Sequence, residues 1–560
     1  MKYTLLLLAY MPLFSQVNYP KDYFRQPLDI PMQLSGNFGE LRPNHFHAGF
    51  DFKTQQKEGQ IVHASADGYI SRIRISPYGY GKAIYIDHPN GYTTVYGHLQ
   101  RGYKSVEDFI QKEQYKEQSY EIDYLPKPGE FPVKKGDTIA YSGNTGGSEG
   151  PHLHFEFRDT KSEKVINPLF FGLDIKDTKR PIVTALVAYP IGDSSVVNQS
   201  SRPIMINLSL QPDGSFIAEK VLASGQLGFG ITANDFDDVS YNNNGIYKAE
   251  TFYNGQSNFS YQFDTFAFDE GRYVNALIDF SRFKKTKVRV QQLFMRQPFP
   301  LSIIHANAGN GLIQMAPNVM LSYRIEVSDF NGNKTTIIIP VEYSVLPAKV
   351  PSETVKTPYF VKAKTDSSFE KSDMSVFFPA GTFYNDFYLN FDVNDSVMSV
   401  QDDYTPVHSN FQVAIKSHSD ANIEKTFIAS VSGKSLSYNP TKFKDNFFTA
   451  YTKNLGQFKL AKDTIAPRIT IAKPIEGKWI TNQKFIQLSI SDNLSGIKSY
   501  SGFINEKWVL FEYDYKTKKI TYSIDDSQLA EGKNDLKVIV SDNLGNSAIF
   551  ETQFFRSQKQ

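Results

Sequence analysis

GPHLHFEFR, residues 150–158, carries more of the architecture than any other short stretch of this chain. Side chains two apart on a strand share a face, so His152 and His154 stand together while Leu153, Phe155 and Phe157 line the other side. A strand with so apolar a back covers a core, and its front then presents two imidazoles. One ring can bind a metal while its neighbour reaches a substrate beside it. Taken alone, such a pair is structural about as often as it is chemical. The preceding GGSEG (146–150) spells a Gly-x-Ser-x-Gly pattern, but a serine nucleophile on that turn needs a strand-turn-helix setting. Here Pro151 and an alternating strand follow, so no serine nucleophile is expected.

Upstream, TVYGHLQ (94–100) places His98 just past a strand, at a turn containing Gly97. Further upstream, NHFHAGFDF (44–52) sets His47 and Asp51 four residues apart with Gly49 between them and Pro43 just before. Glycine and proline disfavour a helix there, so the pair would converge through strand and turn. Alone, each segment is bland: a His-x-x-x-Asp spacing is as well explained by surface coincidence. His45 could support the site or touch a substrate, while His63 and His88 read as structural residues of strands and turns.

Composition narrows the setting. Lys and Arg number 60 against 59 Asp and Glu, so no basic face for nucleic acid or an anionic membrane is indicated. With 44 Phe and 33 Tyr but 2 Trp, and short β-branched runs between Gly, Asn, Asp and Pro, the chain reads as mostly β. It has no cysteine, which excludes disulfides and thiolate metal sites and leaves His and carboxylates as possible ligands. Met1-Lys2 followed by TLLLLAYMPLFS has the build of a signal peptide over residues 1–16, too short to span a bilayer. The mature protein is therefore expected to have no membrane span and to be secreted or periplasmic.

Five segments follow: the signal peptide (1–16), an N-terminal domain (20–175), and three β units (176–346, 347–461 and 462–560). The N-terminal domain holds seven of the ten histidines and is expected to be an antiparallel β-sheet domain. Residues 105–121 interrupt it with a polar helix, where Ser105 and Asp108 have capping-box spacing. Such an insertion is either a lid or a solvated excursion. At about 160 residues the domain is long enough to fold alone. The units at 176–346 and 462–560 repeat one another: DTKRP (177–181) matches DTIAP (463–467), ITANDFDD (231–238) parallels ISDNLSGI (490–497), and RIEVSDFNGNKTTIIIPV (324–341) matches LKVIVSDNLGNSAIFETQ (536–553). Two β-sandwiches resembling bacterial immunoglobulin-like modules explain this repeat. Their Asp-Asn-Gly clusters suit calcium, and hairpin turns favour the same residues. The unit at 347–461 reads as an unrelated sandwich of unknown type.

HAGFD (47–51), YGHL (96–99) and HLH (152–154) together resemble the motifs of the lysostaphin/LytM-type zinc metallopeptidases. VHASADGYI, PVKKGDTIAYSGNTGG and INPLFF follow that family in order and spacing, so the resemblance covers about residues 32–172. It implies that His47, Asp51 and His154 are the ligands of one Zn2+ per chain, and that His98 and His152 are the unliganded catalytic pair. Three protein ligands leave a position for water, as a catalytic zinc requires. His152 would then serve as general base, and His98 would hold the oxyanion or orient the water. The resemblance further implies an endopeptidase that cleaves peptide bonds of peptidoglycan. The competing reading is an inactive LytM-like protein that binds wall or activates another hydrolase; such proteins lack several of the five residues, all of which are present here.

Overall fold

The computed structural model describes residues 18–318, 320–418, 422–524 and 529–557. The signal-peptide segment 1–16 lies outside the described residues. No helix among them is long and apolar enough to cross a membrane. The chain is mostly β, as its composition indicates, with an N-terminal sheet domain followed by further β-sheet domains.

Strand His152–Asp159 lies at the middle of the N-terminal sheet, antiparallel to Phe50–Lys53 on one side and to Tyr92–Gly102 on the other. The register sets His154 opposite both Asp51 and Gly97. Leu153, Phe155 and Phe157 are fully buried on the back of the strand. Gly49 is required there, since a Cβ would stand 2.1 Å from the Phe155 carbonyl oxygen. Three motifs distant in sequence thus meet on adjacent strands because a single apolar face forces them together.

Strand Tyr92–Gly102 crosses between two pairings. It runs beside Lys82–Asp87 and then beside Thr138–Ser142, with register shifts at both changes. His98 sits at that break with φ of 57°, a left-handed backbone uncommon outside glycine. It is therefore inside a bulged strand and not just past its end, because the strand bends without stopping. The helix spans Ser105–Glu117, ending short of residue 121, and its N-cap is Lys104 with no side-chain cap. In place of the expected Ser105–Asp108 box, Glu107 accepts a hydrogen bond from the Gly102 N–H at 2.7 Å.

Apart from Thr265–Phe266, the strands from Ile182–Val197 to Lys334–Tyr343 form one hydrogen-bonded sheet with breaks in the register of its longest members. Residues 367–462 form two five-stranded sheets, and residues 468–556 a four- and a five-stranded sheet. The latter two units have separate cores. The N-terminal domain and the sheet after it share one continuous core, running from Phe24 to Val341. Phe46 packs against Phe263 and Phe266, and Val165–Ile166 pairs with Thr265–Phe266.

Candidate active site

His47, Asp51 and His154 are buried, and one potential ligand atom of each lies within 4.8 Å of the others. The triangle is tighter than that limit. His47 Nε2 is 3.0 Å from Asp51 Oδ1 and 3.1 Å from His154 Nδ1, which is 2.9 Å from the same Oδ1. Ligands about 2.0–2.2 Å from a tetrahedral zinc stand a little over 3 Å apart, so the donor set and its spacing fit such an ion.

The opposite ring nitrogens explain why these lone pairs converge. His47 Nδ1 donates to the Asn37 carbonyl at 2.7 Å, and His154 Nε2 donates to Glu156 Oε1 at 2.8 Å. With the rings neutral, these bonds hold the proton on the outer nitrogens and leave the inner ones as acceptors. His98 Nδ1 donates to the Thr145 carbonyl and His152 Nδ1 to the Gly150 carbonyl, both at 2.8 Å. Their Nε2 atoms are likewise left as acceptors. The His98 and His152 rings are 4.7 Å apart, and His152 Nε2 is 3.4 Å from Asp51 Oδ1. All five residues expected from the sequence therefore meet at one place.

Charge is balanced around them. Burial would raise the Asp51 carboxyl, but His47, His152 and His154 hold it well below the usual range. Its Oδ2 also accepts from Arg42 at 3.0 Å. Burial pulls the His154 imidazolium down, yet its bonds to Asp51 and Glu156 reverse this and raise its pKa to about 9. Burial acts against Glu156 too, but Arg158 and then His154 bring its pKa to about 2. His98 is pushed down to about 3 by burial, with His154 and His152 adding to the effect. It is neutral at any ordinary pH.

Glu156, Arg158, Tyr80, Asn37 and Arg42 were not singled out from the sequence. Arg158 holds Glu156 Oε2 at 2.6 Å, while Tyr80 bonds Glu156 and stacks on the His154 ring. A signal was present, since Glu156 and Arg158 continue the polar face of HLHFEFR.

The five residues open into a cleft of about 1460 Å³ lined also by Tyr78, Tyr80 and Arg42. The following sheet domain contributes Phe266, Phe268 and Gly271. His45 lines the cleft as well, but its Nδ1 bonds the Pro43 carbonyl. His63 and His88 are tied to backbone carbonyls elsewhere. Ser148 is buried and its hydroxyl donates to the Gly150 carbonyl, so it supports the loop before His152. Helix Ser105–Glu117 contributes nothing to the cleft lining; its Tyr115 meets Trp508 edge-on at 5.2 Å. The last domain reaches the cleft's rim. Lys516 Nζ donates to the Asn144 and Ser148 carbonyls at 2.6 and 3.0 Å, and Tyr515 packs on Tyr78.

Residues 358–463 match a Zu5-like domain, which gives the previously untyped unit a relationship. Residues 45–115 and 125–168 match peptidase family M23. Over 158 residues the chain is 34% identical to an uncharacterized metalloprotease of Haemophilus influenzae, covering 27% of each protein. Over 153 residues it is 37% identical to the DD-carboxypeptidase/endopeptidase Mpg of Neisseria meningitidis, covering 26% of this chain and 29% of that one. Over 143 residues it is 33% identical to the peptidoglycan DD-endopeptidase ShyC of Vibrio cholerae, covering 24% of this chain and 27% of that one. The chain thus spans little more than a quarter of the length of these relatives. The stretches matched hold His47, Asp51, His98, His152 and His154: residues 45–115 and 125–168 of this chain make up a peptidase family M23 domain.

Proposed function

We propose that the protein is a zinc-dependent endopeptidase that hydrolyses peptide bonds of peptidoglycan outside the cytoplasm, with His47, Asp51 and His154 holding one zinc. The observation that carries this reading is the 3 Å triangle of His47 Nε2, Asp51 Oδ1 and His154 Nδ1, with the opposite ring nitrogens of both histidines committed elsewhere. Zinc bound there supplies Lewis acidity, lowering the pKa of a bound water toward about 7 and polarising a carbonyl.

The remaining chemistry belongs to the protein. His152 Nε2 accepts the proton of the attacking water and later delivers it to the leaving amine. Asp51, 3.4 Å away, faces that ring while it is charged. Of the two roles inferred for His98 from the resemblance, its protonation favours orienting the water: neutral and with its proton on Nδ1, it offers Nε2 as an acceptor. It orients the water, and it cannot donate to an oxyanion in that form. The cleft, about 1460 Å³, has the volume for a peptide, and Phe268 with Tyr78 supplies apolar wall. The relative named as the peptidoglycan DD-endopeptidase ShyC supports the substrate class.

The test is to incubate zinc-loaded protein with purified peptidoglycan and identify released fragments by mass spectrometry. New amine and carboxyl termini within the peptides support the reading. Intact peptides, with wall bound or a partner hydrolase stimulated, support the inactive LytM-like alternative.

A further inference from the structure

A second group of oxygen donors lies outside the M23 cleft, in the sheet domain that follows. Asp177, Asp235 and Asp329 bring one carboxylate oxygen each within 4.8 Å of one another. They line a small cavity of about 50 Å³ together with Asp237 and Asn244. Two buried oxygens there have no hydrogen-bond partner: Asp235 Oδ1 and Asn244 Oδ1. Both residues are only 6% exposed. A buried acceptor left without a donor keeps its full desolvation cost, so two in one cavity call for an occupant.

The surroundings keep that occupant from being a side chain. Asp237 is fully engaged, accepting from the N–H groups of Val239 and Ser240, the Ser240 hydroxyl and Asn244 Nδ2. The last of these bonds fixes the Asn244 amide with its Oδ1 free. The carboxylates of Asp177, Asp329 and Asp237 all act against the charge of Asp235; Lys179 Nζ is committed to the Asp237 carbonyl at 2.6 Å. Burial and this repulsion push the Asp235 pKa to about 7 and the Asp177 pKa to about 6.

The same frame is built twice. Asn333 Nδ2 donates to Asp329 Oδ2 and to the Asp177 carbonyl, and Asn546 Nδ2 donates in the same way to Asp542 Oδ2 and the Asp463 carbonyl. Asp463, Asp492 and Asp542 form the corresponding acidic group, and there Asp492 Oδ1 and the buried Ser495 hydroxyl are the unpartnered oxygens. Turn formation alone accounts for the Asp and Asn that are hydrogen-bonded, but not for the oxygens left bare in both frames.

We propose that Asp177, Asp235, Asp329 and the Asn244 side-chain oxygen bind a calcium ion. Three carboxylates and an amide oxygen are hard donors without nitrogen or sulfur, which suits calcium and disfavours zinc. Waters complete the six to eight ligands that calcium takes, whereas magnesium demands a stricter octahedron. The site also reaches the M23 cleft. Gly245, next to Asn244, exchanges two 2.8 Å hydrogen bonds with the Asn37 side chain, and the Asn37 carbonyl holds His47 Nδ1. Calcium therefore fixes the loop that buttresses His47. This coupling rests on the ligand role proposed for His47; the calcium site does not.

The test uses the zinc-loaded full-length chain in calcium-free buffer, titrated with calcium chloride by calorimetry and followed by thermal unfolding. Calcium should bind at micromolar to millimolar concentration and raise the unfolding temperature by several degrees, with magnesium weaker. Asp235→Asn removes one buried charge from the repelling group. It should unfold at a higher temperature than the parent without calcium and lose one bound equivalent. A variant that merely misfolds would unfold lower. Should Asp235→Asn not fold, Asp329→Asn is titrated in the same way and must lose one equivalent. Calcium binding that is absent, or undiminished in these variants, overturns the site. Calcium binding with unchanged hydrogen exchange at Asn37 and His47 overturns the coupling and leaves the zinc reading untouched.

Discussion

His154 Nε2 stands 2.8 Å from Glu156 Oε1, and that bond decides which nitrogen of the ring faces the centre of the site. Glu156 is fully buried and held from behind by Arg158. Glu156→Gln keeps the shape but gives up the charge and can present an amide where a carboxylate belongs. Zinc affinity should fall about 10- to 100-fold, the usual effect of losing such a partner. Competition with a chromogenic chelator measures it. An unchanged affinity would mean that the ring is oriented by packing alone.

The five histidine and aspartate positions should separate into two classes. His47→Ala, Asp51→Ala and His154→Ala should each lose most of the zinc. His98→Ala and His152→Ala should keep it while peptide cleavage drops by about 10²-fold or more. Metal analysis and turnover on the same preparations separate the classes. Zinc loss in His152→Ala together with retention in His154→Ala would reverse the assignment of the two strand histidines.

Zinc binding should be coupled to proton release. In the metal-free protein His154 holds a proton up to about pH 9, and zinc must displace it. Apparent affinity should therefore fall about tenfold for each pH unit below 9. Calorimetry in buffers of different ionisation enthalpy counts the proton. The same shift affects metal-free stability. Because the folded pKa lies above the ordinary value of 6.5, the stabilising contribution is complete below about pH 6.5 and is lost as pH rises through 9. Metal-free protein whose unfolding temperature is level across that range would argue against a His154 imidazolium held between Asp51 and Glu156.

Lys516 ties the last domain to the loop that precedes His152. Both of its acceptors are carbonyls of that loop, Asn144 and Ser148, and the Ser148 hydroxyl lies 3.1 Å from His152 Nδ1. Lys516→Ala should lower kcat several-fold with zinc retained, and hydrogen exchange across residues 144–150 should quicken. Normal turnover with faster exchange would show that the loop's order is not limiting.

Length alone suggests that a fragment from Gln16 to Asp177 folds by itself, but the shared core points the other way. Cutting at Asp177 removes Phe263 and Phe266 from Phe46, and the partner strand from Val165–Ile166. Such a fragment should aggregate or unfold tens of degrees lower, whereas one ending at Leu346 should behave as a folded protein. Equal unfolding temperatures would show that the interface contributes little.

The local pattern of HLHFEFR is enough to orient His152 and His154, because strand alternation is a local property. Convergence of His47, Asp51 and His98 on them was legible only through resemblance, since register between distant strands is set by the whole core. The position of His98 inside a bulge, and the carbonyls that fix each tautomer, depend on backbone from other strands and carry no sequence signature. Glu156 and Arg158 were readable by extending the same alternation two steps. The repeat located both acidic frames, but which of their oxygens lack partners is a matter of three-dimensional packing.

Hydrolysis of wall peptides at the zinc site is tested by mass spectrometry of peptidoglycan digested in parallel by the zinc-loaded protein and by His154→Ala. New peptide termini are expected with the first protein and none with the second. Identical fragment patterns from both, or no cleavage by a protein shown to carry stoichiometric zinc, would contradict it.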